Sequence, residues 1–153
     1  RGDSGLRQFE RDVLAQPGVT HVIVMLGTND LRNRIALPEQ EATAEQMIAG
    51  LSQMALRAQT RGIKIIGATL TPFGNETFLP GAWNPVREAH RVAVNNWIRE
   101  SSALDGVADF DQALRDPECP TQMLPIYDCD DGLHPSDLGY CKMGDAIDLA
   151  LFD

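Results

Sequence analysis

Cysteine is scarce in this chain, and its spacing excludes a disulfide framework. Only three cysteines, Cys119, Cys129 and Cys141, occur among the 153 residues. Small domains that depend on disulfides carry an even and much denser set. A single Cys119–Cys129 bridge, with Cys141 left over on a helix, stays open as an alternative.

The cysteines also lack the spacing of a structural zinc site. Together with His134 they offer four ligands, but no C-x₂-C pair occurs among them. Neither G-x-G-x-x-G nor G-x-x-x-x-G-K-[ST] is present, so nothing indicates a nucleotide or flavin domain. The sequence therefore predicts no metal and no cofactor.

Positive charge and long apolar runs are lacking as well. Thirteen Lys and Arg face 22 Asp and Glu, which gives a net charge of −9. Such a surface repels phosphate backbones, so we expect no nucleic-acid partner. The longest apolar run, Val22 to Leu26, is far shorter than the roughly 20 residues that span a membrane. We expect no membrane span.

The N-terminus shows no recognisable signal peptide. The chain opens with Arg1-Gly2-Asp3-Ser4 instead of methionine. We therefore expect the natural start of translation to lie upstream. Residues 1–153 are interpreted as one domain, because no linker or repeat interrupts them.

What is present is an alternation of buried strands and amphipathic helices. Apolar, β-branched runs predict strands at 20–26, 63–70 and 106–110. Helical periodicity predicts helices at 6–15, 38–60, 85–101 and 137–151. The inward residues predicted for the last two helices are Val86, Ala89, Ala93, Trp97 and Ile98, and Leu138, Met143, Ile147 and Leu151. This order is typical of an α/β domain with a parallel sheet and right-handed crossovers.

The strand at 20–26 has the composition of a central strand, although it is the first in the chain. In a sheet of only three strands it would form an open apolar edge, which natural proteins avoid. Only a helix is predicted before Thr20. We therefore expect one or more further strands, N-terminal to this segment, to pair beside it.

Two short motifs carry candidate chemistry. Gly27-Thr28-Asn29-Asp30 directly follows the first strand, where active sites of open α/β sheets form. The Asn29 amide there can donate to a developing oxyanion, although a turn or helix-capping role is an equally ordinary use of asparagine.

The second motif is Asp131-Gly132-Leu133-His134-Pro135. An Asp three residues before a His, with a glycine between them, can turn back to bind the imidazole Nδ1 and leave Nε2 as a general base. A loop histidine near a chance carboxylate is the alternative.

The segment 71–84 is a long loop rich in glycine and proline, and it follows the second strand. Loops at this end of a strand often build the site, so Thr71, Phe73 and Trp83 are candidate substrate contacts. The alternative is a surface connection in which Phe73 and Trp83 fold back onto the core.

Taken together, the two motifs resemble the SGNH hydrolases, also called GDSL esterases and lipases. Residues 16–30, with G-T-N-D, are similar to the third conserved block of that family, and residues 127–140, with D-G-L-H-P, are similar to the fifth. The segment 61–72 also resembles bacterial members. The resemblance covers essentially the whole chain.

The resemblance implies a flavodoxin-like three-layer α/β/α sandwich with a parallel sheet, in which the N-terminal strand is missing from this chain. It implies Asn29 as an oxyanion donor, His134 as the general base and Asp131 as its orienting carboxylate. The implied activity is hydrolysis of a small carboxylic ester, such as a short acyl ester or an acetylated sugar, without metal or cofactor. Secretion or a periplasmic location is plausible on the same grounds.

The family's nucleophilic serine is the element that does not match. Gly2-Asp3-Ser4 repeats the family's Gly-Asp-Ser string, but no strand precedes it and Ser4 is well placed to cap the first helix. We therefore expect the serine to come from an upstream segment or a separate N-terminal fragment, with Ser4 as the weaker alternative. A non-catalytic carbohydrate- or partner-binding module on the same fold is the rival interpretation.

Overall fold

Three parallel strands form the sheet at the centre of the molecule. In the computed structural model, residues 4–32, 41–79 and 81–153 are described. The strands are β1 (His21–Val24), β2 (Lys64–Ala68) and β3 (Gly106–Ala108), in the order β1-β2-β3. All pairs are parallel, with His21 opposite Lys64 and Ile66 opposite Gly106. The predicted parallel α/β class is confirmed.

Helices connect and cover the strands. The described α-helices are α1 (Gly5–Phe9), α2 (Thr28–Leu31), α3 (Ala44–Gln59), α4 (Pro85–Glu100), α5 (Phe110–Leu114) and α6 (Asp137–Asp145). A π-helical turn at Glu10–Leu14 extends α1, and 3₁₀ turns occur at Pro125–Tyr127 and Leu149–Phe152. None of the described helices is long and apolar enough to cross a membrane.

Neighbouring residues of β2 face two separate apolar layers. Ile65 belongs to the larger core with Met54 of α3 and Val94 of α4. Ile66 faces the opposite side, against Phe110 and Met143. Because successive side chains of a strand alternate between faces, the sheet lies between helices on both sides, as in a three-layer α/β/α sandwich.

Several predicted element boundaries were wrong, because polar side chains cap the helices at other positions than expected. Helix α3 begins at Ala44, where Thr43 and Gln46 form a reciprocal capping box; residues 38–40 lie outside the described ranges. Strand β3 ends at Ala108, because Asp109 caps α5. The last helix stops at Asp145, and a separate turn capped by Asp148 follows.

The buried face of α4 also differs from the prediction. The helix buries Arg91, Val94, Asn95 and Ile98, whereas Val86 is 62% exposed and Ala89 and Ala93 face solvent. Two of its inward residues are polar, so the spacing of apolar residues alone predicted the wrong face of the helix to be buried. In α6, Leu138 is 55% exposed and was likewise wrongly assigned to the core.

The two inward polar residues of α4 hold the end of the second strand. Asn95 accepts a hydrogen bond from the backbone N–H of Leu70 and donates one to its carbonyl, at 2.7 and 2.9 Å. Arg91 donates to the same carbonyl at 2.9 Å and to Asp111 at 2.6 Å. These bonds fix the chain where it leaves β2 for the loop at 71–84.

β1 lies at the edge of the three-stranded sheet. Its outer side borders a hollow of about 250 Å³ between the strand and α1, lined in part by Phe9, Val13 and Ile23. Ile23 is 37% exposed and Leu26 45%. Within the described part of the chain no strand pairs with this edge.

Candidate active site

Asn29 is presented by a tight turn at the C-terminal end of β1. Gly27 has a φ of 129°, a backbone conformation that residues with a side chain rarely adopt, and helix α2 begins directly after it. A Cβ at Gly27 would also lie 3.2 Å from the Met47 methyl carbon. The glycine therefore permits the reversal that places Asn29 at the exposed end of the sheet.

The amide of Asn29 is oriented by a buried arginine. The Arg32 guanidinium donates to Asn29 Oδ1 at 3.0 Å. Arg32 is itself paired with Glu76, whose Oε2 accepts from Nε at 2.6 Å and whose Oε1 contacts Nη2. Only 7% and 1% of these two side chains are exposed. Because Oδ1 is occupied, the Nδ2 amide protons of Asn29 remain the donors for a ligand.

Asp131 and His134 form a hydrogen-bonded pair within one turn. His134 Nδ1 lies 2.6 Å from Asp131 Oδ2, and Asp131 Oδ1 accepts from the backbone N–H groups of Leu133 and His134 at 2.9 and 2.8 Å. Burial alone would raise the pKa of Asp131, but these hydrogen bonds outweigh it and lower the pKa to about 2. The carboxylate is therefore ionised at neutral pH and fixes the imidazole with Nε2 free for proton transfer.

The turn that holds this pair is braced from the loop at 71–84. The backbone N–H of Thr77 donates to the Asp131 carbonyl at 2.9 Å. Gly132, with φ of 71°, donates to both oxygens of Asp128. A Cβ at Gly132 would lie 2.3 Å from the Asn75 carbonyl oxygen, so only glycine fits there. The segment 75–77 thus supports both Asn29, through Glu76, and the Asp131–His134 turn.

A single pocket of about 210 Å³ brings the two motifs together. Its described lining consists of Met25, Thr28, Asn29, Arg32, Thr71, Leu133, His134, Pro135, Tyr140 and Met143. Asn29 and the His134 imidazole therefore line one cavity, and acyl transfer requires an oxyanion donor and a general base to lie together in this way.

The three loop residues predicted as substrate contacts are placed differently from one another. Thr71 lines the pocket. Phe73 is fully buried in the core, and Trp83 packs against that core with its indole N–H 3.3 Å from Glu88. For Phe73 and Trp83 the structure corresponds to the alternative in which the aromatics fold back.

Ser4 is not among the described residues that line this pocket. It is exposed and precedes α1, without a side-chain capping bond. It lines a different hollow with Leu26, Asp30 and Met54. The structure does not bring Ser4 into the lining that His134 shares with Asn29.

The three cysteines form no disulfide in the structure. Cys119, Cys129 and Cys141 are all free, so the Cys119–Cys129 bridge that the sequence left open is not formed in the structure. Neither Cys119 nor Cys141 joins His134 in a cluster of metal-ligating groups among the described residues.

Sequence reasoning missed the two residues that orient Asn29. A helix brings Arg32 beside Asn29 at a spacing of three residues, which is a signal that the sequence contains. Glu76 has no such signal, because it comes from a loop 44 positions later in the chain.

Comparison with known proteins supports the same family. A model of the GDSL-like lipase/acylhydrolase family matches residues 1–141. A comparison with curated proteins finds none that matches.

Several solved structures share the fold. A GDSL-like lipase of Bacteroides thetaiotaomicron aligns with a TM-score of 0.77 and 22% identity, over 96% of this chain and 68% of its own. A Bacteroides fragilis protein described as an acylhydrolase gives 0.76 and 20%, over 96% and 67%. The acetylxylan esterase of Geobacillus stearothermophilus gives 0.65 and 22%, over 94% and 65%. This chain therefore spans about two thirds of each of them, and it belongs to the GDSL-like lipase/acylhydrolase family.

Proposed function

We propose that this chain carries the general base and the oxyanion donor of a carboxylic ester hydrolase that works through an acyl-serine intermediate. The observation that carries the proposal is the single pocket lined by both Asn29 and His134, with Asp131 bonded to the imidazole. The family assignment supports ester hydrolysis in general.

In the proposed mechanism, a serine oxygen attacks the ester carbonyl while His134 Nε2 takes its proton. Asn29 Nδ2 donates to the oxygen of the tetrahedral intermediate, and Asp131 stabilises the imidazolium. His134 then protonates the leaving alcohol. Water, deprotonated by the same imidazole, attacks the acyl-serine and releases the acid and the free serine.

We propose that the serine comes from a segment that pairs with the outer edge of β1, upstream in the same protein or on a separate fragment. No serine occurs in the described lining of the pocket. A strand added parallel to β1 would end beside Gly27 and Asn29, since parallel strands present their carboxyl ends at one edge of the sheet. The exposed Ile23 and the hollow beside it provide the apolar surface for such a strand.

The proposed substrate is an ester with a small acyl group. The pocket measures about 210 Å³, and the side chains of Met25, Leu133 and Met143 give it an apolar wall. This volume suits an acetyl or similarly short chain better than a long lipid tail. An acetylated sugar fits this description, and one structural neighbour is an acetylxylan esterase.

The test is labelling of the purified native protein with a fluorophosphonate, followed by intact-mass analysis and peptide mapping. We expect one labelled serine in the wild type and none in His134→Gln, because attack on phosphorus needs the general base. Ser4→Ala is the matched variant: unchanged labelling in it assigns the nucleophile to another segment.

Two outcomes would contradict parts of this proposal. Loss of the label in Ser4→Ala would make Ser4 the nucleophile and remove the need for an added strand. Folded protein without any labelled serine would overturn the hydrolase and favour a binding module on the same fold.

A further inference from the structure

A thiol lies beside the Asp131–His134 pair and has no part in the proposed reaction. One ligand atom each from Cys129, Asp131 and His134 lie within 4.8 Å of one another. Cys129 and His134 are exposed and Asp131 is half-buried, so the group is accessible from solvent. This is the one cluster of three or more metal-ligating side chains found among the described residues.

We propose that Cys129, Asp131 and His134 form a binding site for Zn²⁺, or another borderline-soft divalent ion, that blocks the active site. Thiolate sulfur, imidazole nitrogen and carboxylate oxygen are the three protein ligands that Zn²⁺ takes, whereas Mg²⁺ and Ca²⁺ require oxygen. Three protein ligands leave the fourth tetrahedral position for water.

The surrounding charge favours a dication at this position. The turn reads Asp128-Cys129-Asp130-Asp131, and the chain as a whole carries a net charge of −9. Binding is balanced by release of the Cys129 thiol proton to solvent, while the Asp131 carboxylate and a lone pair of the His134 imidazole coordinate the ion. The bound ion is then coordinated by the thiolate, the carboxylate, the imidazole and one water molecule.

Metal binding and the proposed catalysis compete for the same groups. The proposed catalysis needs the hydrogen bond between Asp131 Oδ2 and His134 Nδ1, which lie 2.6 Å apart. It also needs an imidazole that no other ligand occupies. An ion bound by both side chains breaks this hydrogen bond and occupies the imidazole. The blocking effect rests on the proposed function, whereas the binding itself does not.

The binding is tested with Co²⁺ as a spectroscopic substitute for Zn²⁺, on the reduced 153-residue chain in chelator-free buffer without oxygen. We expect one Co²⁺ per chain, with a thiolate-to-cobalt charge-transfer band and the intense visible bands of tetrahedral Co²⁺. Zn²⁺ should displace the band. Absence of the charge-transfer band in the folded wild type would overturn the proposal.

Cys129→Ser and Cys141→Ser form the matched pair, since both thiols are exposed. We expect Cys129→Ser to abolish the charge-transfer band and to weaken Zn²⁺ binding by at least about tenfold, since loss of an outer-shell partner alone costs about 10- to 100-fold. Cys141→Ser should retain both. An equal band in wild type and Cys129→Ser would show that the ion binds elsewhere and would contradict the site.

The blocking effect is measured separately, on the preparation that reacts with fluorophosphonate. Zn²⁺ should suppress labelling, EDTA should restore it, and Cys129→Ser should shift the Zn²⁺ dependence to at least about tenfold higher concentration. Each variant is compared with its own metal-free rate. A cobalt spectrum without any labelled serine would support the site and contradict the proposed function alone, so the two failures are distinguishable.

Discussion

At the scale of single residues, Asn29 depends on a neighbour for its orientation. Arg32 donates to Asn29 Oδ1 and is itself fixed by Glu76, so the proposed donor role of the Asn29 amide depends on this pair. Arg32 also lines the pocket. We interpret Arg32 and Glu76 as positioning residues.

We predict that the double variant Arg32→Gln/Glu76→Gln lowers kcat by about ten- to a hundredfold, with a much smaller effect on KM. The reason is that misplacement of a catalytic group costs rate more than ground-state binding. Changing both residues avoids leaving one buried charge unpaired. The measurement is steady-state hydrolysis of a short-acyl ester by the preparation that labels with fluorophosphonate.

The Asn29→Ala background is the control for that prediction. Asn29→Ala alone should lower kcat by about 10²- to 10³-fold. In this background the Arg32/Glu76 change should have little further effect, since there is no amide left to orient. An equal effect in both backgrounds would mean that the pair acts on folding or on another group.

At the scale of elements, the turn that carries Asp131 and His134 is shaped by Gly132, which no other residue can replace. Gly132 has a φ of 71°, and its Cβ position lies 2.3 Å from the Asn75 carbonyl oxygen. Gly144 in α6 has open space around its Cβ position and no positive φ. The two glycines form a natural comparison.

Gly132→Ala should destabilise the protein by more than about 1 kcal/mol and lower fluorophosphonate reactivity, because it strains the turn and displaces the loop that braces Asp131. Gly144→Ala should instead stabilise by about 0.5 kcal/mol. Urea unfolding measures both. A neutral Gly132→Ala would contradict the contact between this turn and the loop.

An ion-pair cluster joins α4 to the end of the sheet and makes stability depend on pH. Arg99 donates to both oxygens of Asp109 at 2.7 Å. Burial alone would raise the pKa of Asp109, but hydrogen bonds from Arg99, Gln112 and Thr69 outweigh it and hold the pKa below its ordinary value of 3.8. The stabilisation is therefore complete above that ordinary value and is lost as pH falls through the lowered folded value.

We predict that the free energy of unfolding falls as the pH is lowered below about 4, the ordinary range of a carboxyl group, and that Asp109→Asn makes this fall shallower while reducing stability at pH 7. The measurement is urea denaturation of both proteins between pH 7 and the acid limit of folding. Asp145→Asn, an exposed carboxylate of α6, is the control for charge alone. Parallel curves for wild type and Asp109→Asn would exclude this linkage.

The elements differ in how far the sequence could predict them. The strands could be predicted from apolar runs, and the Asp131–His134 pair from its spacing of three residues. Both are local signals in the sequence. The phase of α4 was misjudged because Arg91 and Asn95 are buried by partners that are distant in sequence, such as Leu70. Glu76 was missed for the same reason: its role exists only once the loop folds onto Arg32.

At the scale of the whole molecule, no strand in the described part of the chain pairs with the outer edge of β1. A row of unpaired backbone groups with apolar side chains is a template for strand addition. Ile23 of β1 is 37% exposed, and Leu56, which belongs to helix α3 and not to the edge strand, is 62% exposed. The two residues separate the effect of the edge from that of surface hydrophobicity.

We predict that the 153-residue chain on its own self-associates in a concentration-dependent manner, and that Ile23→Lys reduces this because a charge on an edge strand opposes pairing. Leu56→Lys should leave it nearly unchanged. Sedimentation velocity over a range of concentrations is the measurement. A chain that stays monomeric throughout would contradict an edge available for strand addition.

The short spacing of Asp131 and His134 has a consequence for the order in which the site is assembled. Their bond closes a loop of three residues, whereas Asn29 lies more than a hundred positions away. The entropy of loop closure grows with the logarithm of length, so the distant contact costs about 3 kcal/mol more than the local one. When the chain folds, the imidazole–carboxylate pair can thus form early, whereas Asn29 shares a pocket with the imidazole only once β1 has joined the sheet. Under the proposed mechanism, His134 can therefore support ester hydrolysis only after folding has brought Asn29 into the same pocket.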